Sequence, residues 1–123
     1  MTNEELKIAG AFVACGRWQW LPGMLTQTEE GQSWRLDECD DWGGQPCAAT
    51  EWLPDITDPC TKGGILKVVR DAHGVQWLTT VPLMTAGGVH GWLIRGLDTP
   101  VCKSEAEALL RALQAAPEVA NTT

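Results

Sequence analysis

The stretch LPDITDPCTKGGILKVVRDAHG, residues 53–74, decides the fold predicted for this chain. Asp58 followed by Pro59 is typical of a helix start, because the aspartate caps free backbone N–H groups and proline suits the first turn. Apolar residues then recur at helical spacing, and Gly74 is typical of a helix end. The glycines at 63 and 64 predict either a later helix start or close packing of another segment. The stretch therefore predicts a central helix.

Two more helices have equally clear signals. Thr2 and Glu5 have the spacing of a capping box ahead of a helix over residues 3–15, which Gly16 would end. Ser104 and Glu107 have the same spacing ahead of an apolar stripe that stops at the next proline.

Strand pairs that carry tryptophans follow the first two helices. After the first helix they are residues 17–28, a strand broken or bent at Pro22 and Gly23, and residues 33–37. After the second helix they are residues 75–83 and 89–96. The order helix, two strands, helix, two or three strands, helix is an α+β pattern in which helices cover one face of a mainly antiparallel sheet. We therefore predict an α+β fold, with two αββ units and a C-terminal helix as its candidate plan.

Length and composition predict one cytoplasmic domain. A chain of 123 residues with 44% apolar content is typical of a single globular domain, which we place at residues 1–116 with a flexible tail at 117–123. The first residues lack a secretory signal, and no apolar run has the length of a membrane helix. The five cysteines are odd in number and irregularly spaced, which predicts reduced thiols and no metal site or cofactor.

The negative charge is concentrated in one half of the chain. The net charge is −7; residues 1–60 hold eleven acids and three bases, whereas residues 61–123 hold five acids and six bases. Nucleic acids and anionic membranes bind clustered Lys and Arg, so this distribution disfavours both. It favours a protein partner with a basic surface.

The segment of residues 37–52, called the acidic segment below, is the candidate partner-binding site. Residues 38–54 predict an ordered loop, and within the acidic segment aromatic residues lie beside acids, a composition typical of protein-binding hot spots. Its candidate residues are Asp37, Glu38, Asp40, Asp41, Trp42 and Trp52. The alternative is a solvated acidic loop whose tryptophans attach it to the core. The register is wrong for a calcium loop, and no spacing supports a Cys60 pair with His73 or His90, so we predict no catalytic residue.

The aromatic residues of the chain are seven Trp and one Phe, with no Tyr. Because a buried Trp removes roughly 150–250 Å² from water, most of them should be core, and Trp18, Trp20, Trp77 and Trp92 are the best candidates. An alternative function is a small-ligand or nucleotide-binding module with a Trp-lined pocket. A homo-oligomer that forms such a pocket between subunits is also left open.

Residues 53–74, a Trp-bearing hairpin and SEAEALLRALQAAP (residues 104–117) together resemble a pattern in small uncharacterised proteins of bacteriophages and prophages. The resemblance covers about half the chain. It implies a phage or prophage source and supplies no activity. Combined with the acidic segment, this source predicts an accessory protein in the host cytoplasm that binds a host or viral protein, with interference with host defence as one purpose that suits an acidic surface. The second half also has the α-β-β-α order of double-stranded RNA-binding domains, but Glu105 and Glu107 would repel phosphate there.

Overall fold

The computed structural model describes residues 1–28, 31–36 and 52–117. Over these residues the helices are α1 (Asn3–Ala14), α2 (Pro59–His73) and α3 (Glu105–Gln114), and the strands are β1 (Leu25–Gln27), β2 (Ser33–Arg35), β3 (Leu53–Pro54), β4 (Thr79–Thr85) and β5 (Gly88–Arg95). The strands form two antiparallel sheets, ordered β2-β1-β3 and β4-β5. The predicted α+β class is confirmed, with two small sheets among the described residues.

The chain divides into two compact units, Met1–Ile65 and Leu66–Thr123, and the boundary falls inside α2. The assignment of residues 1–116 to one domain stays a prediction. Residues 118–123 of the predicted tail lie outside the described residues.

The capping box of α1 is confirmed. The Thr2 hydroxyl accepts from the Glu5 N–H at 3.1 Å, and the Glu5 carboxylate accepts from the Thr2 N–H at 2.7 Å. The helix ends earlier than predicted, because Cys15 already has extended backbone with φ −75° and ψ 132°. The buried residues of α1 are Ala9 and Phe12, and the helix packs against β3.

The predicted start of α2 is also confirmed. Asp58 Oδ2 accepts from the Thr61 N–H at 2.9 Å and from the Thr61 hydroxyl at 3.0 Å, so the first turn is capped from Pro59 onward. Gly74 ends the helix with φ 69°, a left-handed conformation that favours glycine.

Close packing explains one of the two glycines early in α2. A Cβ added at Gly64 would lie 2.9 Å from Met24 Cε, whereas one at Gly63 would meet nothing within 4 Å. Met24 is fully buried, so Gly64 makes room for a core side chain of the first unit. The other alternative, a helix that starts later, is wrong, because α2 begins at Pro59.

In the sheet of the first unit, β1 lies between β2 and β3. Thr26 of β1 pairs with Trp34 on one side and with Pro54 on the other. The Thr26 hydroxyl is buried and donates to the Trp34 carbonyl at 2.9 Å, which satisfies a polar group inside the core. β3 falls in a part of the chain where the sequence predicted only loop, because two residues of strand leave no periodic signal.

Trp18 and Trp20 do not lie on a strand, although the sequence placed them there. The backbone is irregular until β1 begins at Leu25, and the two indoles contact each other with ring centroids 5.3 Å apart in a T-shaped arrangement. Phe12 adds a third ring, 5.5 Å from Trp18. Trp20 is buried as predicted.

In the second unit, α3 packs on β4 and β5. Ser104 caps α3, with its hydroxyl accepting from the Glu107 N–H at 3.1 Å. The buried residues of α3 are Ala106, Ala108, Leu109, Leu110, Ala112 and Leu113. The Thr80 hydroxyl of β4 donates to the Glu105 carboxylate at 2.6 Å and so ties the hairpin to the first turn of the helix.

The prediction that Trp77 is a core residue is wrong, because its side chain is 65% exposed. The strand predicted over residues 75–83 begins only at Thr79, so Trp77 lies in the preceding turn and has no strand neighbour to cover it. Its ring lies over Gly96, where an added Cβ would come within 2.6 Å of Trp77 Cζ3. Trp92 of β5 is half-buried.

Candidate functional site

The candidate partner-binding residues are described only at the end of the acidic segment. Outside the described residues lie Asp37, Glu38, Asp40, Asp41 and Trp42. Trp52 is described: it is half-buried and directly precedes β3. The site therefore stays a prediction, whereas the residues on both sides of the acidic segment are described.

Both flanks of the acidic segment belong to the sheet of the first unit. Leu36, directly after β2, is buried, and its N–H donates to the Met24 carbonyl at 2.9 Å. After β3, the Asp55 N–H donates to the Leu25 carbonyl at 2.8 Å. Because Leu25 of β1 pairs with Arg35 and Gln27 pairs with Leu53, Leu36 lies beyond the start of β1 and Trp52 beyond its end, so the two flanks lie at opposite ends of this small sheet. The acidic segment thus joins two strands that are held by the same central strand.

An ion pair fixes the strand that precedes the segment. Arg35 Nη1 and Nη2 donate to the two carboxylate oxygens of Asp58 at 2.7 and 3.0 Å, and Nη1 also donates to the Gly23 carbonyl at 2.9 Å. The Asp58 side chain is only 13% exposed. Two parallel hydrogen bonds of this kind orient both partners. The sequence indicated Asp58 as a helix cap, but no local signal pointed to Arg35, which lies on a different element.

Asp58 is held in its ionised form. The hydrogen bond from Arg35, followed by those from Thr61, lowers the pKa of Asp58 from its ordinary value of 3.8 to about 2, although burial acts in the opposite direction. The same ion pair raises the pKa of Arg35. A carboxylate with so low a pKa is a poor proton donor or acceptor near neutral pH, so the ion pair has a structural role.

The aromatic cluster of Phe12, Trp18 and Trp20 contains an unusual polar atom. The Nε1 of Trp18 is buried and has no hydrogen-bond partner among the described residues. An indole N–H can only donate, and a buried donor without an acceptor is costly. A buried donor of this kind favours a bound ligand with an acceptor group; the Thr99 hydroxyl is the other buried side-chain group without a partner in the described part of the chain.

The described residues offer no support for metal or thiol chemistry. Within residues 1–28, 31–36 and 52–117, no group of three His, Cys, Asp or Glu side chains is able to hold a metal ion. Cys60 and His73 lie at opposite ends of α2, about 20 Å apart, and His73 Nε2 is 2.7 Å from the Ala112 carbonyl. Burial, and then the charge of Glu107, raise the pKa of the Cys102 thiol.

None of the helices in the described parts of the chain combines the length and apolar character of a membrane-spanning segment. Comparison of the chain with protein-family models, with curated proteins and with solved structures found no match.

Proposed function

We propose that this chain is a non-enzymatic binding protein that docks on a basic surface of a protein partner through the acidic segment. The observation that carries this proposal is the charge distribution: eleven of the sixteen acids lie in residues 1–60 with only three bases. Four acids fall within residues 37–41, directly before Trp42. Acids attract a basic surface, and a neighbouring indole supplies the apolar contact that most hot spots need.

The described flanks support this proposal. Leu36 is buried at one end of the segment and the Arg35–Asp58 ion pair holds the strand before it, while β3 follows the other end. A segment whose two ends are already held loses less conformational freedom on binding than a free peptide would. The entropy loss on ordering the segment then reduces the binding affinity less.

The resemblance to small phage proteins supplies the biological setting of the proposal. The chain is then a phage or prophage accessory protein that acts in the host cytoplasm on a host or viral protein. Proteins that handle nucleic acids have basic surfaces, and an acidic protein competes for such surfaces. A host defence protein that binds nucleic acid is therefore the partner class we favour.

Reversing two charges of the acidic segment tests the proposal. We expect Asp40→Lys with Asp41→Lys to weaken binding at least about 100-fold, because like charges would then face the basic partner. The measurement is capture by the tagged full chain from lysates of candidate host bacteria, with identification of the captured protein. Isothermal titration of the purified partner against both proteins then gives the affinities.

The matched control is Glu4→Lys with Asp98→Lys, which changes the net charge from −7 to −3 just as the test variant does. Both control residues are exposed and lie outside the acidic segment. We expect the control to retain most of the affinity. Equal affinity of the test variant and the wild-type protein, or an equal loss in both variants, would show that the acidic segment is not the docking site.

A small-ligand or nucleotide-binding module is the second candidate, and the buried N–H of Trp18 favours it. We expect a ligand that uses this donor to raise the melting temperature and change the Trp fluorescence in a screen of nucleotides and metabolites. Trp18→Phe keeps an aromatic ring but removes the donor, so it should weaken binding about tenfold. Trp77→Phe is the control, since Trp77 is exposed and lies outside the cluster. No response to any compound would contradict this candidate.

A further inference from the structure

Strand β4 has one edge that pairs with no other strand in the described part of the chain. On its other edge it pairs with β5, where Pro82 lies opposite Trp92. The Trp92 N–H donates to the Cys102 carbonyl at 2.8 Å, and the Trp92 carbonyl accepts from the Cys102 N–H at 2.8 Å. Both backbone groups of Trp92 therefore point away from β4. In an antiparallel pair of this type, the backbone nitrogen and carbonyl of Pro82 point to the outer edge of β4.

This edge carries no charged side chain to keep it from pairing with another chain. The sequence of β4, TTVPLMT, contains no charged residue. Met84 and the opposite Val89 are 66% and 53% exposed, so the end of the hairpin is also apolar. Charged side chains, bulges and proline are the usual means of blocking such edges. Here an irregularity lies between Leu83 and Met84, and Pro82 removes a donor from the edge itself.

We infer that Pro82 prevents two copies of this chain from pairing through their β4 edges. A second copy is the partner to consider, because identical edges pair antiparallel about a two-fold axis. Residues 66–123 hold five acids and five bases, so charge repulsion from this part of the chain does not oppose the contact.

The missing donor explains how the block works. In an antiparallel contact between two β4 edges, Thr80 of each copy lies opposite Pro82 of the other, and the Thr80 N–H donates to the Pro82 carbonyl. The return hydrogen bond is missing, because proline has no N–H. Each copy would then enclose an unpaired Thr80 carbonyl in the contact, and an unpaired backbone group is costly away from water. Each Thr80–Pro82 pair therefore forms one backbone hydrogen bond where two other residues would form two.

The test restores the donor. We expect Pro82→Thr to associate at least about ten times more tightly than the wild-type protein, seen by size-exclusion chromatography with light scattering over a range of concentrations. Pro82→Lys restores the same N–H but places a charge on the edge, so it should keep the wild-type mass. Far-UV circular dichroism checks that both variants fold, and Pro82→Val replaces Pro82→Thr if the latter does not.

Three results would overturn the inference. The first is a Pro82→Thr or Pro82→Val protein with the wild-type mass at every concentration. The second is a Pro82→Lys protein that associates as tightly as Pro82→Thr, because the contact would then not depend on an uncharged edge. The third is a Pro82→Thr dimer that persists after Met84→Lys is added, because Met84 also lies on β4 and a charge there should oppose pairing through this edge. None of these measurements involves the acidic segment, so the outcome is independent of the proposed docking function.

Discussion

Replacing Gly96 by alanine is expected to destabilise the protein by about 3–5 kcal/mol. Gly96 has a φ of 105°, a backbone conformation that residues with a Cβ rarely adopt. The new Cβ would also lie 2.6 Å from Leu78 Cδ2 and 2.6 Å from Trp77 Cζ3. Leu78 is fully buried, so the backbone strain and the steric clash with a core side chain both reduce the free energy of unfolding.

Urea unfolding followed by circular dichroism measures this loss, and Gly87→Ala is the matched control. Gly87 lies in the turn of the β4-β5 hairpin, and a Cβ there would meet only Thr85 Oγ1, at 3.9 Å. We expect the control to stay within about 1 kcal/mol of the wild-type protein. Because domains of this size have total stabilities of about 5–15 kcal/mol, the Gly96 variant should lose a large part of its stability. A loss equal to that of the control would contradict both the backbone strain at Gly96 and the clash with Leu78 and Trp77.

Replacing Asp58 by alanine is expected to cost about 2–3 kcal/mol. The substitution removes the cap of α2, since Asp58 Oδ2 accepts from the N–H and the hydroxyl of Thr61. It also leaves the Arg35 guanidinium without its carboxylate. Thermal and urea unfolding measure the effect, which should appear as a lower melting temperature without a change in the circular dichroism of the folded state.

Asp58→Asn separates the two roles, because asparagine caps a helix about as well as aspartate but carries no charge. We expect it to be less destabilising than Asp58→Ala. Equal losses in the two variants would mean that the helix cap contributes nothing measurable. A loss in Asp58→Ala of under about 0.5 kcal/mol would contradict both roles.

The effect of Asp58 should depend on pH in a defined direction. The folded state holds the pKa of Asp58 at about 2, below its ordinary value of 3.8. A group with a lowered pKa stabilises the folded state above its unfolded pKa and loses this contribution as the pH falls through the folded pKa. The stability difference between wild-type and Asp58→Asn proteins should therefore be constant above about pH 5 and shrink between pH 5 and 2. A difference that grows towards low pH would contradict the assignment.

Capping chemistry accounts for how well the helices were predicted. Thr2, Asp58 and Ser104 cap their own helices through side-chain oxygens that reach N–H groups three residues further along the chain. Such contacts need only neighbouring residues, so the sequence indicates them directly. The strands were predicted less well: the one proposed over residues 17–28 is reduced to β1, and β3 was missed. A strand of two or three residues exists because of its pairing partner, which can lie far away in the sequence.

The acidic segment could be proposed from the sequence because charge and aromatic content are local properties. The arrangement of its flanks could not be predicted, because Arg35 pairs with Asp58, 23 positions further along the chain, and the buried Leu36 donates to the carbonyl of Met24, 12 positions before it. The Pro82 edge is similar, since proline is visible in the sequence but the direction of its nitrogen follows from the pairing of Trp92 with Cys102.

By itself, the sequence determined the helices, the α+β class and the concentration of acids in the first half, because these follow from side-chain chemistry within a few residues. Only the tertiary structure decided which tryptophans are buried. Trp20 and Trp77 gain equally from burial, yet one is covered and the other is 65% exposed. The physical reason is that burial requires neighbours from other elements, and the fold brings such neighbours to Trp20 but not to Trp77.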